Sequence, residues 1–287
     1  MPVLPRLIEA YAREGYAIIT GLNPSHYSAF RLAPFTWIVR DGKLASSGLG
    51  IALQEVYFFE CLMAALDARP VYVIGNSMGF STLAIALAAP VARVVAIDTG
   101  WDAQSLEGLD VTRKIVAREG LNVAVLQGAS PDDVARTAHE GAPGTPFGCV
   151  FIDGYHSNEQ VVKDFAAVKA VSAPDAVYVF HDVRDGGLEP GLDVIAQQNP
   201  GFTYRLLEAT PSGIAVGTVG AFSPAVAQVV AAFSIAAAAR PVLDDALDIW
   251  RHRKSVTWRR SIVKRVNALR KLVGLKGLPL PRKLLDT

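Results

Sequence analysis

Val71-Tyr-Val-Ile-Gly75-Asn76-Ser77-Met-Gly79-Phe-Ser81-Thr82 reads as a buried strand that runs through a glycine turn into a helix. Glycine at such a turn lets the backbone take positive φ and come close to a neighbour or a ligand. In open parallel sheets, ligands bind beyond the carboxyl ends of the strands, where the strand order switches. The next apolar run ends in Asp98, about twenty residues past the turn, which is the offset expected of an acid that binds ribose hydroxyls. Gly75, Asn76, Ser77, Gly79, Ser81 and Asp98 are therefore candidate residues of a nucleoside-cofactor site.

Other readings compete for the same stretch. Gly75-Asn-Ser77-Met-Gly79 also fits G-x-S-x-G, the strained elbow that presents a nucleophilic serine in α/β-hydrolases. That machinery needs an oxyanion segment on an earlier strand, and residues 1–70 contain no His-Gly of that kind. It also needs a histidine late in the chain, yet none occurs between His181 and His252. A dinucleotide fingerprint is a poorer fit, because Phe80 follows Gly79 and the third glycine is missing. The plainest reading is a tight strand–helix connection without a ligand, and the position of Asp98 speaks against it.

Outward from this stretch, short β-branched runs alternate with longer helical segments. Val71–Ile74, Val94–Ile97, Val123–Leu126, Val150–Ile152 and Val177–Phe180 read as buried strands. Helices are expected over Thr82–Ala89, Leu109–Glu119, Pro131–His139 and Asn158–Val171. Such alternation implies an α/β fold, a parallel sheet covered on both faces. Phe202–Leu207 and Gly213–Val219, joined through Pro211 and Ser212, are expected to close one edge as an antiparallel hairpin. Upstream, a helix over Leu4–Arg13, a hairpin at Asp41-Gly42 and a helix from about Ile51 to Leu66 are expected. Beyond Ala221 the pattern is helical throughout. The expected division is a cap over residues 1–70, a Rossmann-like domain over 71–220 and a helical extension over 221–287.

Two further strand ends carry chemistry. Phe151-Ile-Asp153-Gly-Tyr-His156 ends one strand and Tyr178-Val-Phe-His181-Asp182 ends the next. In a parallel sheet both ends reach the same rim, so these acids and imidazoles should converge beside the first site. One Asp at such a place is usually a helix cap, and one His is usually structural. Four together supply either a metal site or a general base that takes the proton of a hydroxyl.

The segment Ile152-Asp-Gly-Tyr-His-Ser-Asn-Glu-Gln-Val-Val-Lys-Asp164, followed by Val177-Tyr-Val-Phe-His-Asp-Val183, resembles bacterial class I methyltransferases of the macrocin O-methyltransferase and cephalosporin-hydroxylase-like group. The resemblance spans about residues 50–220. It implies S-adenosylmethionine in the first site, with Asp153 among its neighbours and Ser130, in the turn after the third strand, beside the adenine. It also implies a Mg²⁺-type divalent cation held by Asp153 and Asp182, with His181 as a further donor, and His156 as the base. The implied reaction is methylation of a hydroxyl on a small molecule such as a sugar or glycan. The chain departs from the group's pattern where His181 replaces an acid, because hard Mg²⁺ prefers oxygen. Asn158 also stands where a tyrosine is usual. A metal-free mechanism and a non-catalytic adenosyl-binding module stay open at this point.

Composition sets the remaining bounds. Hydrophobic residues make up 51% of 287, enough for a sizeable core, and no apolar run approaches a membrane span. The N-terminal residues lack a continuous apolar stretch, so no secretory leader is expected and a cytoplasmic setting is. Cys61 and Cys149 sit in apolar surroundings and read as reduced core residues. The net charge of +1 hides an asymmetry: from Arg251 onward there are 12 basic residues and one acid, against 16 basic and 26 acidic before it. Basic residues interleaved with Ile262, Val263, Val266 and Leu269 fit a cationic amphipathic helix. Its expected partners are an anionic inner membrane face or an acidic surface, including that of a second copy. A merely solvated helix accounts for the pattern equally well, and no nucleic-acid module is present.

Overall fold

The computed structural model describes residues 2–22, 34–45, 50–235, 237–239, 241–242, 258, 261–270 and 276. Two compact units divide between Ser234 and Ile235. The first opens with α1 (Val3–Arg13), which buries Val3, Leu7, Ala10 and Tyr11 along one face. A three-stranded antiparallel sheet follows, formed by β1 (Ala17–Leu22), β2 (Pro34–Arg40) and β3 (Lys43–Leu44). Asp41 and Gly42 both take positive φ in the turn between β2 and β3, as a two-residue hairpin of this twist requires. The first strand, β1, lies outside the elements expected from sequence. Then comes α2 (Leu53–Ala65), close to its expected bounds.

The main sheet has seven strands: β4 (Val71–Ile74), β5 (Val94–Asp98), β6 (Val123–Gln127), β7 (Phe147–Ile152), β8 (Ser172–Phe180), β9 (Phe202–Leu207) and β10 (Ile214–Val219). Their order is β6-β5-β4-β7-β8-β10-β9. The first five in that order run parallel, while β10 is antiparallel to both β8 and β9. The expected hairpin thus closes one edge. Helices α3 (Phe80–Ala88), α4 (Ala103–Glu119), α5 (Val134–Gly141), α6 (Asn158–Lys169), α7 (Glu189–Gln198) and α8 (Pro224–Phe233) complete the unit.

Alternation along the strands divides the core in two. Val71, Val73, Val94, Ala96 and Phe151 pack with α1, α2, α3 and α8 on one face. Tyr72, Ile74, Val95, Ile97 and Ile152 pack with α5, α6 and α7 on the other. A strand buried on both faces has no polar side to show, which is why these runs are continuously apolar. From β4 the chain steps outward through β5 to β6, then returns to place β7 on the other side of β4. The switch in strand order therefore lies between the carboxyl ends of β4 and β7, where Ile74 pairs with Ile152.

Some boundaries differ from the sequence expectation. α4 begins six residues earlier than Leu109, because Asp102 caps it by accepting from the Ser105 amide at 2.7 Å. Pro131 does not open α5, which starts at Val134, since Asp133 closes the preceding turn by accepting from the Ala129 amide. α7 was not anticipated. The helical run after Ala221 is interrupted, for α8 ends at Phe233 and Ser234 is extended. In the second unit, residues 261–270 are helical with Ile262 and Leu269 exposed. The rest of the basic segment, apart from Trp258 and Lys276, lies outside the described residues. Among the described residues no helix is long and apolar enough to cross a membrane.

Candidate active site

A cavity of about 1030 Å³ opens at the switch point, lined from the ends of β4, β5, β7 and β8 and by residues of α2 and the β9–β10 connection. All of the residues singled out from sequence except Gly79 line it: Gly75, Asn76, Ser77, Ser81, Asp98, Ser130, Asp153, His156, His181 and Asp182. The sheet topology brings them together; they come from five separate stretches of chain.

One wall is built from backbone. Gly75 has φ +91°, and a Cβ there would stand 2.1 Å from the carbonyl oxygen of Asp153. Gly79 has φ +85°, and its Cβ would meet the Thr112 hydroxyl at 2.0 Å. The turn is thus wedged between the end of β7 and α4, with no room for a side chain at either glycine. Gly79 is also the N-cap of α3, so the helix N-terminus opens beside Phe80 and Ser81 on the cavity wall. The buried Tyr11 hydroxyl of α1 donates to the Met78 carbonyl at 2.6 Å and fixes the turn from behind.

Asp98 has a second task that sequence did not suggest. Its Oδ2 accepts the amides of Asn76 at 3.0 Å and Ser77 at 2.8 Å, and its Oδ1 accepts the Gly100 amide at 3.1 Å. A carboxylate offers about four lone-pair directions, so the acid shapes the turn and keeps capacity for a ligand hydroxyl. Trp101 and Tyr155, 80% and 79% exposed, stand on the cavity rim. Ser130 is also more committed than expected. Its hydroxyl donates to Asp164 Oδ1 at 2.5 Å, and Gln160 Nε2 donates both to that oxygen and to the Ser130 carbonyl. Burial raises the Asp164 carboxyl above its ordinary value, against the pull of those two hydrogen bonds.

The opposite wall is built from ionisable side chains. His156 Nε2 is 3.3 Å from Asp153 Oδ1, and its Nδ1 lies 3.4 Å from Asp182 Oδ2. The hydrogen bond to Asp153 raises the His156 pKa, burial works against the rise, and the charges of Asp153 and Asp182 add to it. His181, 6% exposed, lies deeper. Its Nδ1 is 3.1 Å from Asp153 Oδ1 and 3.3 Å from Asp182 Oδ1. Those distances are short, yet neither approach has the alignment of a hydrogen bond, and Nδ1 is left buried without a partner. Asp182 holds its place at φ +51°, a left-handed conformation that costs a non-glycine residue roughly 1–3 kcal/mol.

Behind His181 stands Glu55 of α2, 1% exposed, which sequence reading missed. Its Oε2 accepts the Ala52 amide at 2.7 Å and lies 3.3 Å from His181 Nε2. Its Oε1 accepts from the Ser212 hydroxyl. Ser212 Oγ is in turn 3.2 Å from His181 Nε2. One signal was available: Glu55 interrupts the apolar run Leu53-Gln-Glu55-Val-Tyr-Phe-Phe. Burial pushes the Glu55 carboxyl up, but the His181 charge and the hydrogen bonds from His181, Ser212 and Ala52 outweigh it and lower its pKa. Burial likewise opposes ionisation of Asp153, and His181 and His156 together hold it down at about 2. Burial alone would lower the His181 pKa; the charges of Asp153 and Glu55 reverse this and hold it well above its ordinary value.

The donors fit a divalent cation. One ligand atom each from Asp153, His181 and Asp182 lies within 4.8 Å of the others, and the orphaned His181 Nδ1 stands 3.1 and 3.3 Å from the two carboxylates. The hydrolase alternative finds no such support. Ser77 does take the strained φ of +44° that an elbow serine would show. Its amide is bound by Asp98, however, and among the described residues neither histidine hydrogen-bonds it.

A parallel sheet closed by an antiparallel hairpin, with a glycine turn and an acid at its switch point, is the Rossmann-like architecture of class I methyltransferases. Residues 73–183 match the family model described as a methyltransferase domain, and this part of the chain is one. The chain is similar to solved structures at low identity. Cofactor-bound Rv0187 from MTB is 21% identical, with 76% of this chain and 90% of that one covered and a TM-score of 0.50. An O-methyltransferase from Bacillus cereus in complex with SAH is 22% identical, covering 59% and 82%, with a TM-score of 0.49. The O-methyltransferase TomG from Streptomyces achromogenes, involved in tomaymycin synthesis and in complex with SAM, is 20% identical over 60% and 82%, with a TM-score of 0.49. No curated protein matches the chain.

Proposed function

We propose that the protein transfers the methyl group of S-adenosylmethionine to a hydroxyl of a small polyhydroxylated molecule, a sugar or glycan being the class that the resemblance of its motifs favours. The observation that carries this reading is convergence: Asp153, His156, His181 and Asp182 share one cavity with the Gly75–Gly79 turn and Asp98. In this reading the turn, the α3 N-terminus and Asp98 hold the cofactor, with Asn76, Ser77, Ser81 and Ser130 on its wall.

Methyl transfer is an in-line displacement from a sulfonium that is already a good leaving group. The protein has to supply alignment and removal of the hydroxyl proton. His156 suits the second task. Its Nε2 is hydrogen-bonded to Asp153, which orients the ring, while Nδ1 has only a 3.4 Å approach to Asp182 and is the nitrogen free to take a proton. Asp153, Asp182 and His181 would hold a divalent cation, which when bound polarises the acceptor hydroxyl and lowers its pKa. Trp101 and Tyr155 on the rim suit the apolar face of a sugar ring.

The test uses S-adenosylmethionine with a labelled methyl group and a small-molecule extract of the source cells as acceptor pool. Label should appear in an alkali-stable methyl ether, released as an O-methyl sugar on acid hydrolysis. Label in an alkali-labile ester or an N-methyl product would overturn the proposal.

The basic segment carries a separate proposal of lesser reach, that it brings the protein to an anionic membrane surface. Its support is the charge asymmetry and the exposed Ile262 and Leu269 on the helix over 261–270. Liposome sedimentation unchanged by removing residues 251–287 would refute it.

A further inference from the structure

Glu55 and His181 form a pair whose geometry has a consequence for the choice of metal. A ring nitrogen 3.1 and 3.3 Å from two carboxylate oxygens faces negative charge on both sides. Were it a bare lone pair, the arrangement would be repulsive, so a cation belongs between the three atoms. A proton on Nδ1 would satisfy them by pointing at one oxygen, but the ring is not aligned for that bond with either carboxylate. A metal ion needs no such alignment along the N···O line. It needs three donor atoms close together, and one atom from each of Asp153, His181 and Asp182 lies within 4.8 Å of the others.

The other face of the ring fixes its protonation. Nε2 stands against Glu55 Oε2 at 3.3 Å and Ser212 Oγ at 3.2 Å. The Ser212 proton is already given to Glu55 Oε1. The remaining proton near Nε2 therefore belongs to the ring and points to Glu55. With Nε2 as the donor, Nδ1 is the nitrogen that faces the cavity, and a metal bound there takes the place of any proton on it. A carboxylate behind a histidine that ligates through its other nitrogen is the arrangement that fixes the tautomer and raises the basicity of metal-bound imidazoles. Glu55 is held rigidly for this task by the Ala52 amide, and it joins α2 to the ends of β8 and the β9–β10 connection.

The structure assigns Glu55 as the positioning residue that makes His181 a nitrogen ligand, so that the site takes a first-row transition ion such as Mn²⁺ with one imidazole and two carboxylates. An all-oxygen site suits Mg²⁺, whereas mixed imidazole and carboxylate donors shift the preference toward transition ions. This deepens the proposed function in resting on Asp153 and Asp182 as acids of the acceptor side.

The experiment is titration of the full chain with Mn²⁺, read by calorimetry and by pulsed electron paramagnetic resonance. Wild-type protein should bind one Mn²⁺ and show the nitrogen hyperfine coupling of a directly bound imidazole. Glu55→Met, which removes the acceptor, should weaken binding about 10- to 100-fold and lose the coupling. Glu55→Gln, which keeps an acceptor oxygen, should retain it. Because Glu55→Met could unfold α2, His181→Asp serves as a second variant: it should still bind Mn²⁺ without nitrogen coupling and gain affinity for Mg²⁺. Mn²⁺ bound to wild type without nitrogen coupling would overturn the assignment, as would wild-type affinity and coupling in folded Glu55→Met. Absence of Mn²⁺ binding would overturn it as well, leaving a proton as the cation of the site. S-adenosylmethionine titrated into the same samples keeps the two readings apart, since loss of cofactor binding with Mn²⁺ binding intact refutes only the methyltransferase reading.

Discussion

The two walls of the cavity are built by different means. The wall at the β4–α3 turn is backbone: two glycines with no space for a Cβ, a helix N-terminus, and a carboxylate that binds three amides of its own neighbourhood. The opposite wall is side chains: two imidazoles among three carboxylates from α2 and the ends of β7 and β8, with the Ser212 hydroxyl of the β9–β10 connection beside them. The first holds its shape through sterics and hydrogen bonds in one contiguous stretch. The second holds its shape through charge, across sequence separations of 126 and 157 residues. In the proposed function the first wall holds the constant cofactor and the second meets the acceptor, so specificity can vary in the second while the first stays fixed.

The sharpest way to break this comparison is at Gly75. Gly75→Ala adds a Cβ 2.1 Å from a backbone carbonyl at a φ of +91°, so neither partner can yield cheaply. A loss of at least about 3 kcal/mol in stability is expected, with cofactor binding abolished. Denaturant unfolding followed by calorimetry measures both. Next in size is His156→Ala on the other wall. It should lower the rate of labelled-methyl transfer roughly 10²- to 10⁴-fold and leave the affinity for S-adenosylmethionine unchanged. A parallel loss of cofactor affinity would mean that the two walls are not separable. The smallest effect belongs to Ser77→Ala. The Ser77 backbone, and not its hydroxyl, is what Asp98 binds, so transfer should stay within about threefold of wild type. Abolished activity with folding intact would instead favour a nucleophilic serine.

The same contrast explains what sequence could and could not reveal. The wall at the β4–α3 turn was legible because its parts are adjacent in sequence. Strand, glycines and helix fall within residues 71–88, and the spacing to Asp98 is set by one helix and one strand. Strand ends at Asp153 and Asp182 were legible too, because parallel strands deliver their carboxyl ends to one rim. Glu55 and Ser212 were not: an acid inside an apolar run marks Glu55 as unusual, but nothing local shows that its partners stand 126 and 157 positions away. Asp164 and Gln160 escaped for a related reason: on α6 they look like ordinary helix polar residues until Ser130 is placed against them. β1 was hidden as well, for Ala17–Leu22 gains its strand identity only by pairing with β2 across the hairpin. The Asp98 amide contacts show the limit from the other side, since sequence singled the residue out without revealing the three amides that it binds.

The proposed function puts S-adenosylmethionine between the two walls, and Asp98 is where this is most exposed to test. Calorimetric titration of S-adenosylmethionine into wild-type protein and into Asp98→Ala decides it. One-site binding to wild type is expected, weakened at least about tenfold in the variant, or roughly 1.4 kcal/mol. No heat of binding with wild-type protein, or equal affinity in the folded variant, would contradict the account.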